Sequence, residues 1–170
     1  MQGLALKTQI VGLDTISQST EPTNSDKNVT LERNVGVVYA STQWYWNNTS
    51  KSPAEKNTKT RNVNLTFPTM KHEDDGHVIF IKRGTNDGST LKIYAGGSYH
   101  KEYNYSTDKY DDNYYPTYLV TQNDIEETST TKFSKEGYGA LYVYIRDLTL
   151  VMNDVTYKGA WMEFRNPRDW

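Results

Sequence analysis

The chain has 170 residues, of which 35% are hydrophobic and 24% charged, with 14 Tyr, no Cys and a formal net charge of −2. Nineteen basic against 21 acidic residues, scattered rather than striped, give no electrostatic reason to expect nucleic acid or an anionic membrane as partner. The missing Cys removes disulfide frameworks and the usual structural zinc sites, and no apolar run is long enough to cross a membrane as a helix. Leu, Ile, Val and Phe number only 32, so the composition predicts a folded domain with a thin, Tyr- and Trp-weighted core that neighbouring subunits complete.

Residues 1–27 read as an N-terminal anchoring segment and linker. Leu6, Ile10 and Leu13 recur at helical spacing, but Gly3, Gly12 and the β-branched residues between them oppose a helix. The polar stretch Ser17–Asp26 has linker composition, and the N-terminus shows neither the charged nor the unbroken apolar region of a secretion signal. A first strand or helix followed by an ordinary loop is the competing reading.

From Asn28 the period is two. Val29 and Leu31, then Val35, Val37 and Tyr39, then Trp44 and Trp46, then Val63, Leu65 and Phe67 alternate with polar or small residues, as half-buried strands do. Asn47–Thr60 reads as a loop. His77–Lys82 and Leu91–Tyr94 flank Asp87-Gly88 and predict a β-hairpin. Tyr99–Tyr118 reads as a loop or two edge strands, and Ile125–Lys135 as polar chain with a short helix or a strand near Phe133. Ala140–Ile145, Leu148–Met152 and Gly159–Phe164 predict three closing strands, with turns at Asn153-Asp154 and Lys158-Gly159. Eight or nine short strands with little helix predict an all-β, antiparallel sandwich or jelly-roll-like domain over residues 28–170. Asn28-Val-Thr-Leu31 and Asn62-Val-Asn-Leu65 match at an offset of 34, which an Asn/Thr-rich chain reaches by chance.

Candidate chemistry is sparse. His72 with Glu73, Asp74 and Asp75 has metal-ligand residue types, but Asp75-Gly76 before a strand reads better as a turn. Ser98 near His100 is the nearest approach to a hydrolase pair and lacks the Gly-x-Ser-x-Gly elbow. Asp108, Asp111, Asp112 and Asn113 supply calcium-type oxygens without the alternating spacing of a calcium loop, and an exposed acidic loop is the better reading. No catalytic residue, metal or cofactor is therefore assigned. The remaining signal is aromatic: eight of the 14 Tyr fall within residues 94–118, interleaved with Asp and Asn. Tyr103, Tyr105, Tyr110, Tyr114 and Tyr115 are the candidate ligand-binding residues, since a Tyr ring stacks on sugars while nearby carboxylates and amides take their hydroxyls. Packing between neighbouring subunits, or over a thin core, is the competing reading of these rings and carries the greater weight. Leu6, Ile10, Leu13, Trp44 and Trp46 are the candidate interface residues.

The order Asn62-Val-Asn-Leu-Thr-Phe-Pro68, Gly76-His-Val-Ile-Phe-Ile-Lys82, a turn at Gly88 and Leu91-Lys-Ile-Tyr94, with a late strand around Gly159 and Trp161, resembles bacteriophage fibre and appendage proteins. The resemblance covers about a third of the chain. It implies a non-enzymatic virion structural protein, a homotrimer attached through its N-terminus to other virion proteins and located in the virion after synthesis in the host cytoplasm. The absence of a long repetitive shaft or heptad coil favours a short fibre or a decoration of capsid or tail over a long tail fibre. Contact with a host cell-surface glycan is compatible with this, and a carbohydrate-binding module is the alternative function.

Overall fold

The computed structural model describes residues 6–84, 87–121, 125–126, 131–133 and 139–165. The all-β expectation holds: among the described residues, apart from one 3-10 turn at His72–Asp74, every regular element is a strand. The first nine strands do not alternate within a sandwich; they wind around three sheets. β1 (Lys7–Val11), β2 (Thr15–Gln18) and β3 (Lys27–Thr30) go in turn to the first, second and third sheet. β4 (Val35–Ala40), β5 (Gln43–Asn48) and β7 (Val63–Thr66) repeat that order, each lying parallel on its predecessor. β8 (Val78–Arg83) and β9 (Leu91–Tyr94) then continue the first and third stacks, again in parallel. β6 (Glu55–Thr60) folds back antiparallel on β5 as an excursion of the second turn. The result is a short, three-faced parallel β-coil.

Antiparallel strands close the first sheet. β15 (Gly139–Met152) pairs with β8, and β16 (Val155–Arg165) pairs with β15 through a two-residue turn in which Asn153 and Asp154 both have positive φ, 50° and 62°. Asn and Asp tolerate that conformation, which matches the right-handed strand twist. β12 (Tyr118–Val120) lies parallel to β16 and β13 (Ile125–Glu126) pairs with β12, while β14 (Thr131–Phe133) edges the third sheet against β9. The strand near Phe133 is thus present; most of the remaining Ile125–Lys135 prediction lies outside the described residues.

Three expectations change. Parallel and antiparallel pairs are mixed, and the described residues form sixteen strands, β15 and β16 of them long, rather than eight or nine short ones, so the sheets are not those of the expected antiparallel sandwich. No hairpin joins His77–Lys82 to Leu91–Tyr94, because β8 and β9 belong to different sheets and each has a parallel partner from the preceding turn. The chain rounds a corner there instead, fixed by the buried Arg83, whose guanidinium donates to the Ser89 carbonyl at 2.6 Å and to the Thr42 hydroxyl at 3.2 Å. Finally, Asn47–Thr60 is not a loop throughout: β5 runs to Asn48 and Glu55–Thr60 is β6, while β1, β2 and β3 each form one edge of the three sheets.

The interior is more aliphatic than the composition implies. Nineteen buried residues form one cluster, with Val35, Val38, Val63, Leu65, Ile79, Ile81, Leu91 and Ile93 pointing inward from the coil. Under the β15–β16 cap the core becomes aromatic, where Phe67 stacks on Trp161 at 4.3 Å and meets Tyr142 edge-on at 4.9 Å. Successive turns of the coil bury the same side of each strand, so modest numbers of Val, Leu and Ile suffice for a continuous core.

Candidate functional site: a two-faced tyrosine hairpin

The Tyr-rich segment is a regular antiparallel hairpin, β10 (Gly97–Asn104) and β11 (Lys109–Pro116), in a sheet of its own. Its register sorts the side chains, because residues directly opposite share a face and successive residues alternate. Tyr99 faces Tyr114, Lys101 faces Asp112 and Tyr103 faces Tyr110, all on one face. Ser98 and Tyr115, His100 and Asn113, Glu102 and Asp111 occupy the other. Tyr115, expected with the other candidates, is therefore separated from Tyr103, Tyr110 and Tyr114, and Tyr99 joins them.

The Tyr115 face holds the hairpin to the body. Ser98 is fully buried and its Oγ donates to the Lys158 carbonyl at 2.9 Å; Nε2 of His100 lies 2.8 Å from that Oγ and 3.1 Å from that carbonyl. The Lys158 ammonium reaches Glu102 at 2.9 Å and lies 4.4 Å from the centre of the Tyr115 ring. Hydrogen bonds from Tyr115 and Lys158 hold the Glu102 carboxyl down at about 2, and the same carboxylate raises the Tyr115 hydroxyl and the Lys158 ammonium. Burial pushes the His100 imidazole down and keeps it neutral at pH 7. With Ser98 closed to solvent and both polar groups committed to one carbonyl, this pair is an anchor and presents no nucleophile to a substrate.

The opposite face is open. Tyr99 and Tyr114 pack edge to face at 5.4 Å, Tyr103 and Tyr110 at 5.3 Å, and Tyr105 at the tip meets Tyr103 at 4.9 Å. Tyr110 is 70% and Tyr105 89% exposed, so these rings pack on one another rather than into the protein. At the base, the Tyr114 ring lies over the backbone of Gly97, where a methyl group would collide with the ring and its hydroxyl. Edge-to-face pairing and this glycine seat fix the rings in place before anything binds. Asp111 and Asp112, being consecutive in a strand, point to opposite faces, and Asp111 accepts from the Asn104 amide at 2.8 Å; the acidic residues do not converge as calcium ligands would. The cluster at residues 72–75 is likewise engaged elsewhere: Arg33 grips Asp74 with two hydrogen bonds of 2.6 and 2.9 Å, and Asp75 accepts from the Arg146 amide at 2.9 Å.

A second open surface is the outer face of the first sheet. Thr8, Val37, Phe80, Leu141 and Phe164 stand in one row across five strands, with Ile10, Tyr39, Lys82 and Gly139 in the next. Leu6 and Ile10, expected at an interface, are exposed at this edge, and Leu13 is exposed just beyond β1. Trp44 is not on any surface: it is buried, with the Arg61 guanidinium 5.2 Å from its ring centre. Trp46 is half-buried and donates to the Gln18 carbonyl at 3.0 Å.

Sequence reasoning singled out the Tyr segment but missed Tyr99, Lys101 and Asp112. The signal was the parity of Tyr99, Lys101 and Tyr103 and of Tyr110, Asp112 and Tyr114, which becomes a shared face only once both runs are read as paired strands. No family model, curated protein or solved structure matches this chain.

Proposed function

We propose that the protein is a non-enzymatic structural subunit of a bacteriophage virion, a short fibre or decoration protein on capsid or tail that works as a homotrimer. The observation that carries the reading is the uncovered apolar face of the first sheet. Leu6, Ile10, Val37, Tyr39, Val78, Phe80, Leu141 and Phe164 are each 37–67% exposed. Taking side-chain areas of the order of those of aromatic residues, they leave roughly 600 Å² of apolar surface, the upper end for a monomer and close to one partner's share of a standard interface. The two rows that cross it carry a single charge, Lys82, and no carboxylate, which suits contact with further copies of the same face. Other virion proteins are the partners this role implies.

Light scattering during size-exclusion chromatography tests the reading. Wild type is expected at three times the chain mass, and the charge-inserting variant Phe80→Lys, outward-facing and therefore still folded, at the monomer mass. A well-folded wild-type monomer at micromolar concentration overturns the assembly argument.

A further inference from the structure

We propose that the exposed tyrosine face of the β10–β11 hairpin, built by Tyr99, Tyr103, Tyr105, Tyr110 and Tyr114 around Lys101 and Asp112, is a binding site for a neutral oligosaccharide. Two edge-to-face Tyr pairs stand on one face of one ladder, four residues apart along β10, which is roughly 13 Å at the rise of an extended strand. An oligosaccharide of a few rings spans that distance. Its C–H-rich ring faces pack on the Tyr rings, and its hydroxyls meet the five phenol groups, the Lys101 ammonium and the Asp112 carboxylate, which sit opposite each other between the two pairs.

Charge selects this occupant over the other polymer that stacks on aromatic rings. Single-stranded nucleic acid needs a positively charged groove along its phosphates, whereas on the tyrosine face the Lys101 ammonium stands directly opposite the Asp112 carboxylate and the pair is neutral. A purely apolar protein partner is equally ill-matched, because the row between the ring pairs is an ion-capable Lys/Asp pair rather than an aliphatic one. Preorganisation completes the case: the opposite face is clamped to Lys158, and Gly97 seats Tyr114, so little ordering remains to be done on binding. The site uses none of the residues of the apolar sheet face, and it stands or falls independently of the trimer.

The test is a glycan array of neutral and anionic oligosaccharides probed with the full chain, followed by calorimetry with the retained compound. Neutral oligosaccharides are expected to be retained, with affinity about tenfold weaker for Tyr103→Ala and for Tyr110→Ala and largely kept by Tyr110→Phe, as loss of one stacked ring predicts. Lys109→Ala, on the opposite face, is expected to bind as wild type, and so is Phe80→Lys, which separates this site from assembly. Unchanged melting temperatures for the Tyr variants show that lost binding is not lost folding. Retention of no neutral compound, retention of anionic compounds only, or binding indifferent to Tyr103→Ala and Tyr110→Ala together overturns the proposal.

Discussion

The side-chain amide of Asn64 donates to the side-chain oxygen of Asn28 at 2.8 Å, linking two stacked turns of the coil at the same position in each. Asn28-Val-Thr-Leu31 therefore lies directly on Asn64-Leu-Thr-Phe67. The rung is a single neutral hydrogen bond near solvent, so it contributes modestly. A double-mutant cycle with Asn28→Ala and Asn64→Ala, followed by urea unfolding, is expected to show a coupling of about 0.5–1 kcal/mol. Strictly additive effects would show that the two amides act separately.

Two glycines separate fold from site. Gly12 turns the corner after β1 at φ +84°, and a methyl group there would collide with the Ser41 carbonyl. Gly12→Ala combines a strained backbone with that clash and is expected to cost about 2–3 kcal/mol. Gly97→Ala meets only a movable ring, that of Tyr114. It is expected to lower the melting temperature much less while releasing the Tyr99–Tyr114 pair, visible as a change in near-ultraviolet dichroism. Equal destabilisation by the two substitutions contradicts this division.

Acid is expected to loosen the hairpin's base before the rest. The folded pKa of His100 lies below the ordinary 6.5 because the imidazole is buried, so the unfolded chain binds the proton first. Its contribution is complete above about pH 6.5 and is lost as pH falls through the lowered folded value. Glu102, lowered from 4.5 to about 2, and Asp74, lowered from 3.8, have the same sign and add a second loss below about pH 4.5. Melting temperature between pH 7.5 and pH 5 is expected to fall in wild type and to fall less in His100→Asn. A parallel decline in both proteins excludes His100 as the source.

The strands of the coil were legible because Val63, Leu65 and Phe67 keep a strict period of two, whereas in β4 the register shifts after Val35, so that Val35 and Val38 are buried and Val37 and Tyr39, expected to share the face of Val35, point outward. The partners of the strands were not legible, since that period is the same whether a neighbour runs parallel or antiparallel. The repeat was not legible: the match at an offset of 34 read as chance and is not the register of the stacking, since Asn28 lies on Asn64, 36 residues on, while Lys7 pairs with Val35 at 28 and Thr15 with Tyr45 at 30. Excursions of unequal length between strands, such as β6, hide a fixed period from the sequence. Asp87-Gly88 carries hairpin chemistry yet lies at a corner, because β8 and β9 each find a longer-range parallel partner. In the candidate site the residue types were legible and the faces were not; Tyr115 was grouped with Tyr114 by sequence adjacency, which in a strand places the two on opposite sides.

Among the described residues β1, β2 and β3 stand at the edges of their sheets, so the length of the coil and the make-up of the tyrosine hairpin are separate quantities. Each full turn laid on that end would lengthen the molecule by about 4.8 Å, the spacing between neighbouring strands, without altering a residue of the tyrosine hairpin. Corners absorb insertions as they already absorb β6, and nearest-neighbour stacking makes stability grow with each turn. A protein of this design can be lengthened or shortened by counting turns, while the tyrosine hairpin stays the same.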